Sequence, residues 1–120
     1  MKTEEFEQIV KARLSKTEST LCKKAEEYAH GDRLSNFHAA AALMKVKPET
    51  VLAGLMVKHI VALYDFIREH EADDKPYASL CDTMRPYAYW DEKIGDIQAY
   101  LCLLDAMILE RLAKQTDGTM

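Results

Sequence analysis

The stretch Y-W-D-E-K-I-G-D-I-Q-A-Y-L-C-L-L, residues 89–104, decides how the chain is read. Trp90, Ile94, Ile97, Leu101, Leu104 and Ile108 recur every three or four residues. That spacing draws one apolar stripe and predicts a core helix from about Tyr87 or Trp90 to Lys114. At ~100° per residue, Lys93, Asp96 and Tyr100 fall roughly 60–120° to one side of the stripe, with Glu92 just beyond, so the helix carries a polar shelf. Glu92 and Asp96 stand four apart, which sets their Cβ atoms about 5–6 Å from each other, close enough for two carboxylates to share a divalent cation. The same spacing fits a solvated acidic face.

Working back from this helix, residues 49–70 are apolar nearly all round, from Val51 and Leu52 to Phe66 and Ile67. Such a helix belongs at the centre of a bundle or in a subunit interface. Lys58, His59 and Asp65 interrupt it. Burying such groups costs several kcal/mol unless they are paired or bind something. Lys58 and Asp65 share one helical face, as a structural ion pair or as part of a ligand site.

At the other end, residues 3–30 read as one long helix with Thr3 as N-cap, Glu4, Glu5 and Glu7 in its first turn, and Gly31 as a left-handed stop. Thr17, Thr20 and Lys24 lie in or beside its apolar line, an unusually polar inner side that invites a ligand. Glu27 is turned further inward than Glu26. Ser35 or Asn36 can cap a second helix through Met44, and Pro48 suits the first turn of the third. A polar break at residues 71–76 leads to a short helix around 79–84, and residues 115–120 should fray. The 120 residues form a single all-α domain, 1–120, of four to five helices.

The net charge of −4 and the lack of a basic patch exclude a nucleic-acid polymer as partner. Cys22, Cys81 and Cys102 are scattered and odd in number, which fits a reducing compartment. With no leader visible and no uninterrupted apolar run of about 18 residues, the expected location is the cytoplasm, away from membranes. No nucleophile–base pair, phosphate-binding loop or dinucleotide fingerprint appears, so covalent catalysis is not indicated. His30, His38 and His70 form no metal motif. Arg33 can clamp a phosphate or pair with a local acid. Trp90 and Tyr100 can stack on a nucleobase or simply pack.

Four segments carry a resemblance: K-A-E-E-Y (Lys24 to Tyr28), D-R-L-S-N-F (Asp32 to Phe37), G-L-M-V-K-H-I-V (Gly54 to Val61) with Asp65, and W-D-E-K-I-G-D-I-Q-A-Y-L-C-L-L. Together they are similar to a family of small phage and prophage proteins, which in turn resembles the all-α nucleoside triphosphate pyrophosphatases of the MazG and dimeric dUTPase superfamily. The resemblance implies a helical bundle completed by oligomerisation, as a homodimer or higher. It also implies Mg²⁺ held by acids against a nucleotide, and hydrolysis to a nucleoside monophosphate and pyrophosphate. Carried over by position, Glu27, Asp65, Glu92 and Asp96 are the metal-site and catalytic acids. Lys24, Lys58 and Arg33 neutralise phosphate charge, Asn36, Trp90 and Tyr100 contact sugar or base, and His59 and Lys93 complete the substrate-binding set.

Two departures stand out. The pyrophosphatases show E-x-x-E on one helix and E-x-x-D on another, whereas here Lys24 precedes Glu27 by three and Lys93 stands where the second motif's glutamate would be. Fewer acids weaken a multi-metal site. The alternative is therefore a non-catalytic phage protein, either a nucleotide-sequestering module or a helical protein-interaction module.

Overall fold

The computed structural model describes residues 1–27, 32–71 and 87–116, apart from the side chains of residues 24–27 and 70. It is an all-α bundle of four described helices: α1 (Thr3–Glu27), α2 (Ser35–Met44), α3 (Pro48–Glu71) and α4 (Ala88–Thr116). Among the described residues there is no strand. The expected short helix around 79–84 and the last four residues of the chain lie outside the described residues.

Local chemistry accounts for the helix ends. Glu4 and Glu5 sit in the first turn of α1, where the helix dipole favours acids. Ser35 and Asn36 do not cap α2; both lie inside it, and the N-cap position is Leu34, which makes no side-chain cap. Asp32 organises the entry instead, its Oδ1 accepting from Leu34 N–H at 3.0 Å in an Asx turn. At the other end Lys45 takes the left-handed conformation, φ 57° and ψ 43°, and its N–H reaches the carbonyls of Ala41 and Ala42. Val46 N–H also returns to Ala41 O at 3.1 Å, closing the α2 terminus. Pro48 then opens α3, where a missing N–H costs nothing.

α3 and α4 pack antiparallel: Phe66 stacks beside Tyr89 and Trp90, while His59 meets Tyr100 further along. α1 runs alongside α4 in the same direction, pairing Arg13 with Asp91 and Thr17 with Gln98. α2 crosses the start of α3. Where α2, the first turns of α3 and the second half of α4 meet, Leu34, Phe37, Leu52, Leu103 and Met107 form the core, with Val51, Met56, Tyr100 and Leu104 packed against it. Leu52 is its most enclosed member, at 1% exposure.

This core corrects the expected orientation of two helices. On α4 the buried residues are Leu103 and Met107, on the face that also carries Asp96 and Tyr100. The sequence stripe is split: Leu104 packs against this core and Trp90 against Phe66, while Ile94, Leu101 and Ile108 are exposed by 38%, 51% and 40%. The polar shelf and the core thus share one face of α4. On α3, Lys58 and Asp65 are exposed rather than buried, since that helix encloses only the side carrying Leu52. The molecule is elongated, 57 × 33 × 26 Å with a radius of gyration of 18.1 Å.

Candidate functional site: a charged cleft between α1 and α4

α1 and α3 both pack on α4 and, among the described residues, make no contact with each other, leaving a cleft of about 1110 Å³ that Arg33 and residues of α2 also line. α1 contributes Arg13, Lys16, Thr17 and Thr20; the α2 entry contributes Arg33 and Asn36. α3 contributes His59, and α4 contributes Asp91, Glu92, Asp96 and Tyr100. Among the described residues, three cations and three carboxylates therefore line one space, and their formal charges balance.

The two rows of charge are partly locked together. Arg13 donates to the Asp91 carboxylate, to the Asp91 carbonyl at 3.3 Å and to the Tyr87 hydroxyl at 3.3 Å. Lys16 reaches both Asp91 oxygens at 3.4 Å. Partial burial by itself would raise the Asp91 carboxyl, but the hydrogen bond and charge of Arg13, and then Lys16, outweigh it and hold the group below its usual range. The Arg13 guanidinium, which burial would lower, is instead raised by Tyr87 and Asp91 and remains a cation. Gly95 makes room for this arrangement, because a Cβ there would meet Arg13 Nη1 at 3.3 Å. Deeper in the cleft Thr17, the buried polar residue of α1, donates its hydroxyl to Gln98.

On the opposite wall, His59 Nδ1 lies 3.3 Å from Asp96 Oδ2, and the His59 ring sits 5.2 Å from that of Tyr100 at an angle of 47°. Two aromatic rings and the Asp96 carboxylate thus meet at one place.

The candidate residues separate on this geometry. Arg33, Asn36, His59, Glu92, Asp96 and Tyr100 come together around the cleft. Trp90 packs against Phe66 with ring centres 4.3 Å apart, and Lys93 lies over the Tyr89 ring at 5.3 Å, both away from the cleft lining. Lys58 and Asp65 are on the exposed side of α3, also outside the lining. The side chains of Lys24 and Glu27 lie outside what the structure describes. Arg13, Lys16 and Asp91 were not among the sequence candidates. Arg13 did carry a signal, since it interrupts the apolar line of α1 between Val10 and Leu14, where a charge needs a partner.

Among the described residues no group of three or more His, Cys, Asp or Glu side chains gathers closely enough to hold a metal ion. Among the described lining residues, the carboxylates that remain for a cation are Glu92 and Asp96, because Asp91 is committed to Arg13 and Lys16. Two carboxylates are a fit for Mg²⁺, which keeps several waters and takes its other ligands from substrate phosphates. They are not a closed protein cage.

No protein-family model matches the chain, and neither a curated protein nor a solved structure matches it.

Proposed function

We propose that the cleft binds a nucleotide together with Mg²⁺, and that the chain acts as a nucleoside triphosphate pyrophosphohydrolase releasing a monophosphate and pyrophosphate. The observation that carries this reading is the composition of one cleft: Arg13, Lys16 and Arg33 face Asp91, Glu92 and Asp96, beside the His59–Tyr100 aromatic pair. Because the formal charges of the described lining residues balance, a cation brought with a polyphosphate would favour its binding there. Glu92 and Asp96 would hold that cation. When bound it would neutralise phosphate charge and acidify a coordinated water.

The chain's own residues divide the remaining work. Arg33 offers a planar fork for phosphate oxygens, and Lys16, more than half exposed, is free to swing from Asp91 toward them. Asn36 supplies amide donors and an acceptor for a sugar or base edge. Tyr100 and His59 offer aromatic surface to a base. His59 Nδ1 stands 3.3 Å from Asp96 Oδ2 and is not hydrogen-bonded to it.

Pyrophosphate release from a panel of NTPs and dNTPs, with and without Mg²⁺, tests the reading. Metal-dependent release that Asp96→Asn abolishes supports it and names the base. A second reading, nucleotide sequestration without hydrolysis, is favoured by the absence of a third clustered acid among the described residues. Binding with no release from any substrate would select it.

A further inference from the structure

We infer that Arg13 and Lys16 are the polyphosphate-binding pair of the cleft, and that Asp91 is a built-in carboxylate that holds this pair until a metal-bound polyphosphate displaces it. This assignment, which rests on the nucleotide reading of the same cleft, adds the residue that decides which form of the ligand is admitted. Arg13 and Lys16 stand about one helical turn apart on α1, and both line the cleft. Both are turned onto the same carboxylate. Arg13 donates to Asp91 Oδ1, and Lys16 reaches Oδ1 and Oδ2 at 3.4 Å each. Two cations gathered on one oxyanion are also the arrangement that grips a phosphate.

The two cations are held with unequal firmness. Arg13, 14% exposed, also donates to the Asp91 carbonyl and the Tyr87 hydroxyl, so it is part of the framework between α1 and α4. Lys16 is 54% exposed, its contacts to Asp91 are long for a charge-assisted hydrogen bond, and its ammonium stands 5.7 Å from the centre of the Tyr87 ring. An exposed pair of that length gives way at little cost. Asp91 itself stands in the first turn of α4, where the helix dipole favours negative charge. An internal anion thus occupies the place to which the α1 cations and the start of α4 would draw an external one.

The same carboxylate imposes a selection. A free polyphosphate must displace Asp91 from Lys16 while Glu92 and Asp96 line the same cleft and repel it. With a divalent cation on Glu92 and Asp96, two of the three acids are neutralised and Asp91 alone competes for Lys16. Asp91 is therefore the residue that sets the preference for metal-bound over free polyphosphate. Neutralising it leaves three cations facing two carboxylates among the described lining residues, a balance that favours an anion without metal. An Asp91→Asn side chain keeps an amide oxygen to accept from Arg13, so the contact between α1 and α4 survives in neutral form.

Isothermal titration with inorganic tripolyphosphate in EDTA, comparing the native chain with Asp91→Asn, tests the inference without any nucleotide. Binding to Asp91→Asn should be at least ~10-fold tighter than to the native chain, the scale of removing a unit charge from beside the ligand. Adding Lys16→Gln to Asp91→Asn should abolish that gain. Equal or weaker binding to Asp91→Asn, which a merely structural role would give, overturns the inference, and so does a gain that survives Lys16→Gln. A gain in Asp91→Asn with no binding of nucleotide and Mg²⁺ to the native chain upholds the anion pair and sinks the nucleotide reading. Nucleotide binding by the native chain with no gain in Asp91→Asn does the reverse. Where circular dichroism finds Asp91→Asn unfolded, the native chain decides. Its Lys16 side-chain NMR resonances should shift with tripolyphosphate and Mg²⁺ but not with tripolyphosphate in EDTA, and equal shifts in both, or none in either, overturn the inference.

Discussion

His59 Nδ1 and Asp96 Oδ2 approach to 3.3 Å without forming a hydrogen bond, although Nδ1 is closed off from solvent. A buried ring nitrogen without a partner costs free energy that a ligand or a small shift of Asp96 can recover. Both residues sit on the wall of the charged cleft. The contact is therefore expected to tighten when the cleft fills. Adding Mg²⁺ and a nucleotide should shift the His59 ring resonances in an NMR spectrum, and Asp96→Asn should remove that response. With about a third of its side chain exposed, Asp96 should tolerate the change within about 0.5 kcal/mol of stability, read from chemical denaturation.

Arg13 ties α1 to α4 through Asp91 and Tyr87, and its own side chain is mostly enclosed. Arg13→Met should destabilise the fold by roughly 1–3 kcal/mol, the range for losing hydrogen bonds to a charged partner. The pH dependence has a definite sign. Since Asp91 is held below the usual carboxylate range in the folded chain, its stabilisation is present above the unfolded value of about 3.9 and is lost as pH falls through the lowered folded value. Urea titrations between neutral and strongly acid pH should show that acid-side loss in the native chain and a weaker one in Arg13→Met.

Leu52 joins α3 to the core made with Leu103 and Met107 and is the most enclosed residue there. Leu52→Ala should cost about 2–5 kcal/mol, the usual penalty for emptying a packed site. Because α1 meets α4 elsewhere, the helix content at moderate temperature should persist while the denaturation midpoint falls.

Lys45 occupies a left-handed conformation that an L side chain adopts at a cost of about 1 kcal/mol, and that glycine adopts freely. Lys45→Gly should therefore stabilise the chain by up to about 1 kcal/mol, measured as an increase in the urea midpoint. No change in nucleotide binding should accompany it, because Lys45 is remote from the cleft lining.

The helices were legible because their punctuation is local: acids at the start of α1, Pro48 at the start of α3, and a long 3.6-residue period in α4. The make-up of the candidate cleft was legible in part. Glu92, Asp96, Arg33, Asn36, His59 and Tyr100 share the cleft, whereas Arg13 and Asp91, separated by 78 positions, meet only through the packing of α1 on α4. No helical period reports such a pairing. The orientation of α4 was misread for a related reason. A stripe such as Ile94, Leu101 and Ile108 records that a face avoids water, and is silent on whether its own chain covers it. Lys58 and Asp65 looked costly on α3 only while that helix was assumed to be enclosed on all sides.

The most direct test of the proposed nucleotide site is isothermal titration of the native chain with a non-hydrolysable nucleoside triphosphate, first with Mg²⁺ and then with EDTA. The expected result is saturable binding in Mg²⁺ that weakens at least ~10-fold, about 1.4 kcal/mol, in EDTA and in the Asp96→Asn chain. Binding of equal strength in all three, or no heat with any base, would contradict the account.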